Sequence, residues 1–166
     1  MNKFFLYASV LLFLLPIKAS FAAGSYFESG VAKASIALEK SDIARATVEA
    51  VNLPDGYPYS TKFMWGGDET SSPKKIIKTV TVLRSGQTIF IPLSAYADLG
   101  NPRKIILQKT SSQNFQLIIL GGDAAGSYKA MLDFRKDEIF RRKVISGEFP
   151  KEVWEETTYS FNHLNN

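Results

Sequence analysis

NFQLIILGGDAAGSYKAMLDF, residues 114–134, decides how this chain reads. Its first part, Phe115 to Leu120, is short, apolar and rich in isoleucine and leucine. Its last part alternates: Tyr128, Ala130, Leu132 and Phe134 fall on one side, Lys129, Met131 and Asp133 on the other. A period of two is the mark of a half-buried strand. The glycines between, in Gly121 to Ser127, supply backbone angles that bulkier residues avoid. The stretch predicts a β-hairpin with a long, small-residue loop at the centre of a sheet.

The same pattern extends to both sides. Ile76 to Leu83, Thr88 to Leu93, Lys104 to Gln108 and Ile139 to Ile145 read as strands, separated by turns rich in Gly, Asn, Asp and Pro. Pro92 places its strand at an edge or a bulge, since proline has no N–H for a ladder. Residues 31–51 read two ways. Val31, Ala34 and Leu38 suit one face of a helix, whereas Ala44, Ala46, Val48 and Ala50 alternate with Arg45, Thr47 and Glu49. The alternation favours a hairpin of Ala34–Glu39 and Ala44–Asn52. Lys62 to Trp65 is a short strand candidate, Lys151 to Glu155 a single helical turn, and Thr157 to Phe161 a last strand. Roughly eight to ten short strands at regular spacing predict an all-β chain. The expected fold is a single antiparallel β-sandwich with the general layout of immunoglobulin-like or C2-like sandwiches. No βα alternation follows residue 53 and no solenoid repeat is present.

The N-terminus carries one lysine, an apolar run from Phe4 to Leu15, and small residues at Ala19, Ser20, Ala22 and Ala23. That is the layout of a secretory signal peptide. Cleavage after Ala22 puts Ser20 and Ala22 at the two small-residue positions. The run is shorter than the ~20 residues of a spanning helix. The expected organisation is a signal peptide over 1–22, a loose arm over 23–30 and the sandwich over 31–166, in a periplasmic or secreted product. No transmembrane segment is expected after cleavage. Lys3 and Lys18 leave with the signal and no acid does, so the formal charge of +4 becomes +2. That is too mild to argue for nucleic acid.

The absence of cysteine excludes disulfides, thiolate metal sites and a cysteine nucleophile. The single histidine, His163, stands three residues from the end, a poor place for a Ser-His-Asp triad or a zinc ligand. No catalytic residue, metal or cofactor is assigned. Gly-Gly-Asp occurs at 66–68 and again at 121–123. Alternate loops of a sandwich gather at one end, so both could meet there with Asp55 or Asp98. Calcium takes several oxygens from such loops, although no dense Asp-x-Asp run is present. The glycine N–H groups of 121–126 could equally form an anion nest. Glycine and aspartate also suit turns for their own sake.

Two further groups are candidates. Tyr57, Tyr59, Phe63 and Trp65 crowd one proline-flanked stretch, either as a contact surface or as core and its cover. Trp154 reads as the anchor of a docked C-terminal segment. Arg135, Lys136, Arg141, Arg142 and Lys143 form a basic cluster, with Arg141 and Lys143 on one face and Arg142 on the other beside Phe140 and Val144. They suit an acidic partner or anionic lipid, or ion pairs with Glu148, Glu152, Glu155 and Glu156. The candidate binding residues are therefore Tyr57, Tyr59, Trp65, Asp68, Gly121, Gly122, Asp123, Arg141 and Lys143. The expected function is non-catalytic binding of a protein or cell-envelope partner, in an inhibitor, immunity, assembly or accessory role. A calcium-dependent binding module is the alternative, and a carboxylate-based hydrolase comes third.

Overall fold

In the computed structural model, residues 22–57, 63–67 and 72–161 are described. Ten strands run in chain order: β1 (Ala22–Tyr26), β2 (Val31–Ala37), β3 (Ile43–Asn52), β4 (Lys75–Arg84), β5 (Gln87–Ile89), β6 (Pro102–Lys109), β7 (Asn114–Gly121), β8 (Tyr128–Arg135), β9 (Glu138–Ser146) and β10 (Val153–Thr158). They form a six-stranded sheet, β1-β6-β7-β8-β9-β10, and a four-stranded sheet, β2-β3-β4-β5. Every pairing between these strands is antiparallel. The chain is all-β, and the two sheets face each other as a sandwich. Among the described residues, no helix is long and apolar enough to cross a membrane.

The hairpin β7–β8 sets the core. Its register places Phe115 opposite Phe134, Leu117 opposite Leu132, Ile119 opposite Ala130 and Gly121 opposite Tyr128. The apolar members of these pairs are buried. The Phe115 and Phe134 rings stack with centroids 4.7 Å apart. The facing sheet answers with small residues, Ala32, Ala34, Ala44 and Ala46, among Ile36, Val48, Val80 and Val82. Rings from one sheet and alanines from the other share this core, the large-to-small match that close packing needs. This accounts for the alanine-rich sequence of residues 31–50, which forms the expected hairpin rather than a helix.

Four expectations change. Residues 22–26, within the stretch read mostly as a loose arm, form β1 and pair with β6, Ala23 opposite Leu107 and Tyr26 opposite Lys104. Ala-Ala-Gly-Ser-Tyr has no alternation of its own; the open edge of β6 orders it. The Thr88–Leu93 strand ends at Ile89, and Leu93–Ala95 turns after Pro92. Of the Lys62–Trp65 candidate, Lys62 lies outside the described residues, and Trp65 makes an isolated parallel bridge to Leu99. The helical turn at Lys151–Glu155 is absent: β10 begins at Val153 and stops at Thr158, short of Phe161. Its register shifts between Val153 and Glu155, so Trp154 is a bulge. That extra residue hid the alternation of the strand.

At the end of the sandwich away from the 122–127 loop, Arg84 ties the two sheets together. Its guanidinium binds Asp42 at 2.6 Å and donates to the Gln113 carbonyl at 3.0 Å. The Ser85 hydroxyl also donates to Asp42, at 2.9 Å. The hydrogen bond from Arg84 is the chief influence holding the Asp42 carboxyl below its ordinary range, against the opposing pull of burial.

Two outcomes test this architecture. Phe134→Ala should destabilise the fold by about 3–5 kcal/mol through lost burial and a cavity. Lys129→Ala, on the outer side of the same strand, should stay within about 0.5 kcal/mol. Equal costs in urea unfolding would mean that β8 presents the other face. The second outcome concerns acid. A carboxyl whose folded pKa is depressed lends stability above its unfolded pKa of about 4 and loses it as pH falls through the folded value. The stability difference between wild type and Asp42→Asn should therefore shrink steadily from about pH 5 to about pH 2. A constant difference across that range would remove the role given to Asp42.

Candidate functional site

β7 and β9 end, and β6, β8 and β10 begin, at one end of the six-stranded sheet. β3 ends and β4 begins beside them, because the Asn101 N–H donates to the Lys75 carbonyl at 2.8 Å and Gly100 bridges Ile76. The two Gly-Gly-Asp loops do meet here. A Cβ built on Gly122 would stand 3.0 Å from the Gly66 Cα.

Asn101 fastens them. Its Nδ2 donates to the Gly66 carbonyl at 2.8 Å. Its Oδ1 accepts the N–H of Lys74 at 2.9 Å and of Lys75 at 3.1 Å. Its own carbonyl accepts the Gly122 N–H at 3.1 Å. The residue has φ of 45°, in the left-handed region, where asparagine is among the few side chains tolerated. Between the fastened loops lies a cleft of about 320 Å³, lined by Gly66, Gly67, Ser72, Lys74, Asn101, Arg103, Gly122 and Asp123. Tyr128 backs this end from inside, its hydroxyl donating to the Gly100 carbonyl at 3.0 Å. Burial pushes that hydroxyl far above its ordinary pKa, so it stays a neutral donor. Gly121 is there for the ring: a Cβ at Gly121 would stand 2.4 Å from the Tyr128 hydroxyl.

Behind the cleft sits a buried charge. The register of β8 against β9 shifts so that Asp133 opposes Arg141 while Phe134 opposes Ile139. Phe140 is the extra residue, and it does not share the inner face with Arg142 as the alternation suggested. Its ring lies against Arg135, 4.5 Å from guanidinium carbon to centroid. Arg142 turns inward with Val144 and is 3% exposed. Its guanidinium grips Asp98 at 2.7 and 2.8 Å, donates to the Ser94 carbonyl at 2.8 Å and reaches Glu155 at 3.2 Å. Burial pushes the Asp98 carboxyl up, and Arg142 only partly offsets it. The Asp98 carbonyl accepts the Trp65 N–H at 2.8 Å, and Trp65 stacks on Trp154 with centroids 5.3 Å apart. Among the described residues, the buried side-chain polar atoms without a partner are Trp65 Nε1, Arg142 Nε and Tyr159 Oη.

The sequence candidates separate into groups. Gly122 and Asp123 line the cleft, while Gly121 makes room for Tyr128. Trp65 is partly buried packing, and Trp154 anchors the C-terminal segment against it, as its surroundings in the sequence suggested. Tyr57 is half-buried, its N–H bonded to the Pro54 carbonyl at 3.2 Å. Tyr59, Asp68 and His163 lie outside the described residues. Arg141 and Lys143 lie on the outer face of the six-stranded sheet, away from the cleft. Arg141 binds Asp133 at 2.7 Å, and both bind Glu156 at 3.5 Å, which is the ion-pairing alternative. Asp98 does reach this end, but Arg142 holds its carboxylate. Among the described residues, no three His, Asp or Glu side chains gather as a metal site would require.

Sequence reasoning missed Asn101, Lys74 and Arg103; it set Arg142 beside Val144 and on the face opposite Arg141 and Lys143, as the structure does, but missed its pairing with Asp98. Asn101 left one signal, its place between Gly100 and Pro102, where a left-handed residue precedes a fixed φ. Of the seven large apolar side chains exposed among the described residues, Tyr26, Val51, Phe63, Phe149 and Val153 belong to the strand ends and loops of this end. No protein-family model, curated protein sequence or solved structure matches this chain.

Breaking the buried pair from one side should be costly, since it leaves Arg142 with only the longer contact to Glu155 to balance its charge. Asp98→Asn should destabilise by on the order of 3 kcal/mol. Asp98→Asn combined with Arg142→Met should recover part of that loss in urea unfolding. A double variant no more stable than Asp98→Asn alone would show that the guanidinium is not the source of the cost.

Proposed function

We propose that this chain is an exported, non-catalytic binding protein that takes a protein or cell-envelope partner at the loop end of its sandwich. One observation carries the reading. Asn101 locks two loops and the start of β4 into a preformed cleft, and the loops around it present exposed apolar side chains, Phe63 at 80%, Tyr26 at 65% and Phe149 at 64%. A rigid polar centre with an apolar surround suits recognition, because little freedom remains to be lost on binding. The inhibitor, immunity, assembly and accessory roles all use such a surface. The general layout of immunoglobulin-like or C2-like sandwiches fits two packed antiparallel sheets that carry recognition on their end loops.

Export is part of the same reading. A cut after Ala22 falls at the first residue of β1 and leaves Ala23 to Tyr26 to pair with β6. The calcium-dependent alternative draws less support. Asp123 is the one described carboxylate on the cleft, and Lys74 and Arg103 share its walls. Calcium wants about six to eight oxygens.

The test uses the full chain, tagged at its C-terminus and produced in a host that exports it. The exported product should have the mass of a chain starting at Ala23. Partners trapped by crosslinking should disappear with Phe149→Asp and persist with Arg141→Ala on the outer face. Retained residues 1–22, or capture lost through Arg141 and kept through Phe149, would reject the reading.

A further inference from the structure

We propose that the cleft between the two glycine loops is an oxyanion site, which receives a carboxylate or phosphate group of the ligand; this rests on the reading of the loop end as the binding surface. Three observations converge on it.

The first is charge. Lys74 and Arg103 stand exposed on the walls, and Asp123 is the one described acid beside them. Neither cation forms an ion pair with Asp123, although six contacts elsewhere in the described chain join arginine or lysine to carboxylates. Two positive side chains held apart from the local acid are free to meet an incoming oxyanion. Arginine offers a planar fork to it and lysine a point charge.

The second is bare backbone. A side chain at Gly66 would come 2.3 Å from the Gly100 carbonyl oxygen, and one at Gly122 would come 2.2 Å from the Gly126 carbonyl oxygen. Packing therefore demands glycine at both places, and Gly66, Gly67 and Gly122 line the cleft with backbone atoms alone. Among the described residues, the N–H groups of Gly67 and Asp123 bond to no carbonyl. Each loop thus brings one unoccupied backbone N–H to the lining of the cleft, and such groups are ready donors to an anion.

The third is fixation. Asn101 holds the Gly66 carbonyl, the Lys74 and Lys75 N–H groups and the Gly122 N–H at once. It thereby sets the spacing of the loops before any ligand arrives. The cleft, at about 320 Å³, exceeds a lone phosphate and suits the anionic end of a small polar ligand. Asp123 beside the anion favours ligands that carry a hydroxyl or amine next to the charged group.

Nitrogen-15 NMR of the exported protein reads this directly. Inorganic phosphate and glucose 6-phosphate at millimolar concentration should shift the amide signals of Gly67, Gly122 and Asp123, and glucose should not. A larger response to glucose 6-phosphate than to inorganic phosphate assigns the site to a phosphorylated ligand rather than to the free ion. Lys74→Ala with Arg103→Ala should weaken phosphate binding tenfold or more. That variant keeps the Asn101 contacts, which use only the Lys74 backbone. Asp123→Asn should tighten phosphate binding by removing a like charge. No amide shift with either phosphate would overturn the proposal. So would a calcium-induced shift that Asp123→Asn or Asp68→Asn abolishes, since the cleft would then be a cation site. Partner capture that survives Lys74→Ala with Arg103→Ala but not Phe149→Asp would keep the loop end as the binding surface and reject the oxyanion alone.

Discussion

The Asn101 side chain is the point on which the loop end depends. One short amide gives a donor to Gly66 and an acceptor to two successive N–H groups at the start of β4. Aspartate in its place would lack the donor and glycine would lack both functions. The main chain of the same residue holds Gly122 and Lys75. Its neighbours leave it nowhere else to go: a Cβ at Gly100 would stand 2.4 Å from Pro73, and the Gly100 carbonyl is already taken by Tyr128. The residue that shapes the cleft is thus also the residue that joins the two sheets there. Loop geometry and sandwich packing are one constraint.

The same turn carries the link to the buried charge. Three residues before Asn101, Asp98 holds Arg142 with its carboxylate and Trp65 with its carbonyl. An arginine inside a sandwich costs desolvation unless its donors are met. Two bulges let both terminal nitrogens of Arg142 find partners, with Nε alone left unmet. The extra residue at Phe140 changes the phase of β9 and turns Arg142 inward. The extra residue at Trp154 changes the phase of β10, so that Glu155 lies opposite Val144 and reaches the guanidinium, while the indole stacks on Trp65. The bulges re-aim side chains that a regular ladder would have sent elsewhere. The ion pair is better seen as a specifier of this arrangement than as a source of net stability.

This explains what the sequence could and could not show. Strands β2, β3, β4 and β8 are legible because period-two alternation runs along most of each, and β7 is legible as a short apolar run, buried on both faces at Leu117, Ile118 and Ile119. β1 carries no such pattern, since its five small or polar residues are ordered by a partner some eighty positions along the chain. β9 and β10 are readable only in part, because one extra residue in each reverses the phase midway. At the site, the meeting of the two Gly-Gly-Asp loops follows from sandwich topology alone. Asn101, Lys74 and Arg103 could not be found that way: Asn101 meets Lys74 across 27 residues and Gly66 across 35, Arg103 joins them only in the folded cleft, and nothing local marks them apart from Gly100 and Pro102. Arg141 and Lys143 failed to join the cleft for the opposite reason. Their charges were visible, but so were those of Glu156 and Asp133, and proximity across β9 decided the pairing.

Three of the four sheet edges argue for the loop end as well. A sandwich can recruit a partner by adding a strand to an open edge, which needs a long, flat and regular strand. β5 has three residues. β10 is bulged at Trp154 and carries Glu155 and Glu156. β1 has five residues with Gly24 at its centre, and it packs against β2 of the other sheet. These three edges are short, bent or covered, which disfavours strand addition there; the fourth, β2, is a regular seven-residue strand with β1 packed beside it. The loop end has the opposite character, with a fixed polar cleft and apolar side chains left in solvent. A protein that blunts three of its four edges and keeps Phe63 and Phe149 exposed concentrates its capacity for contact where Asn101 has already set the geometry.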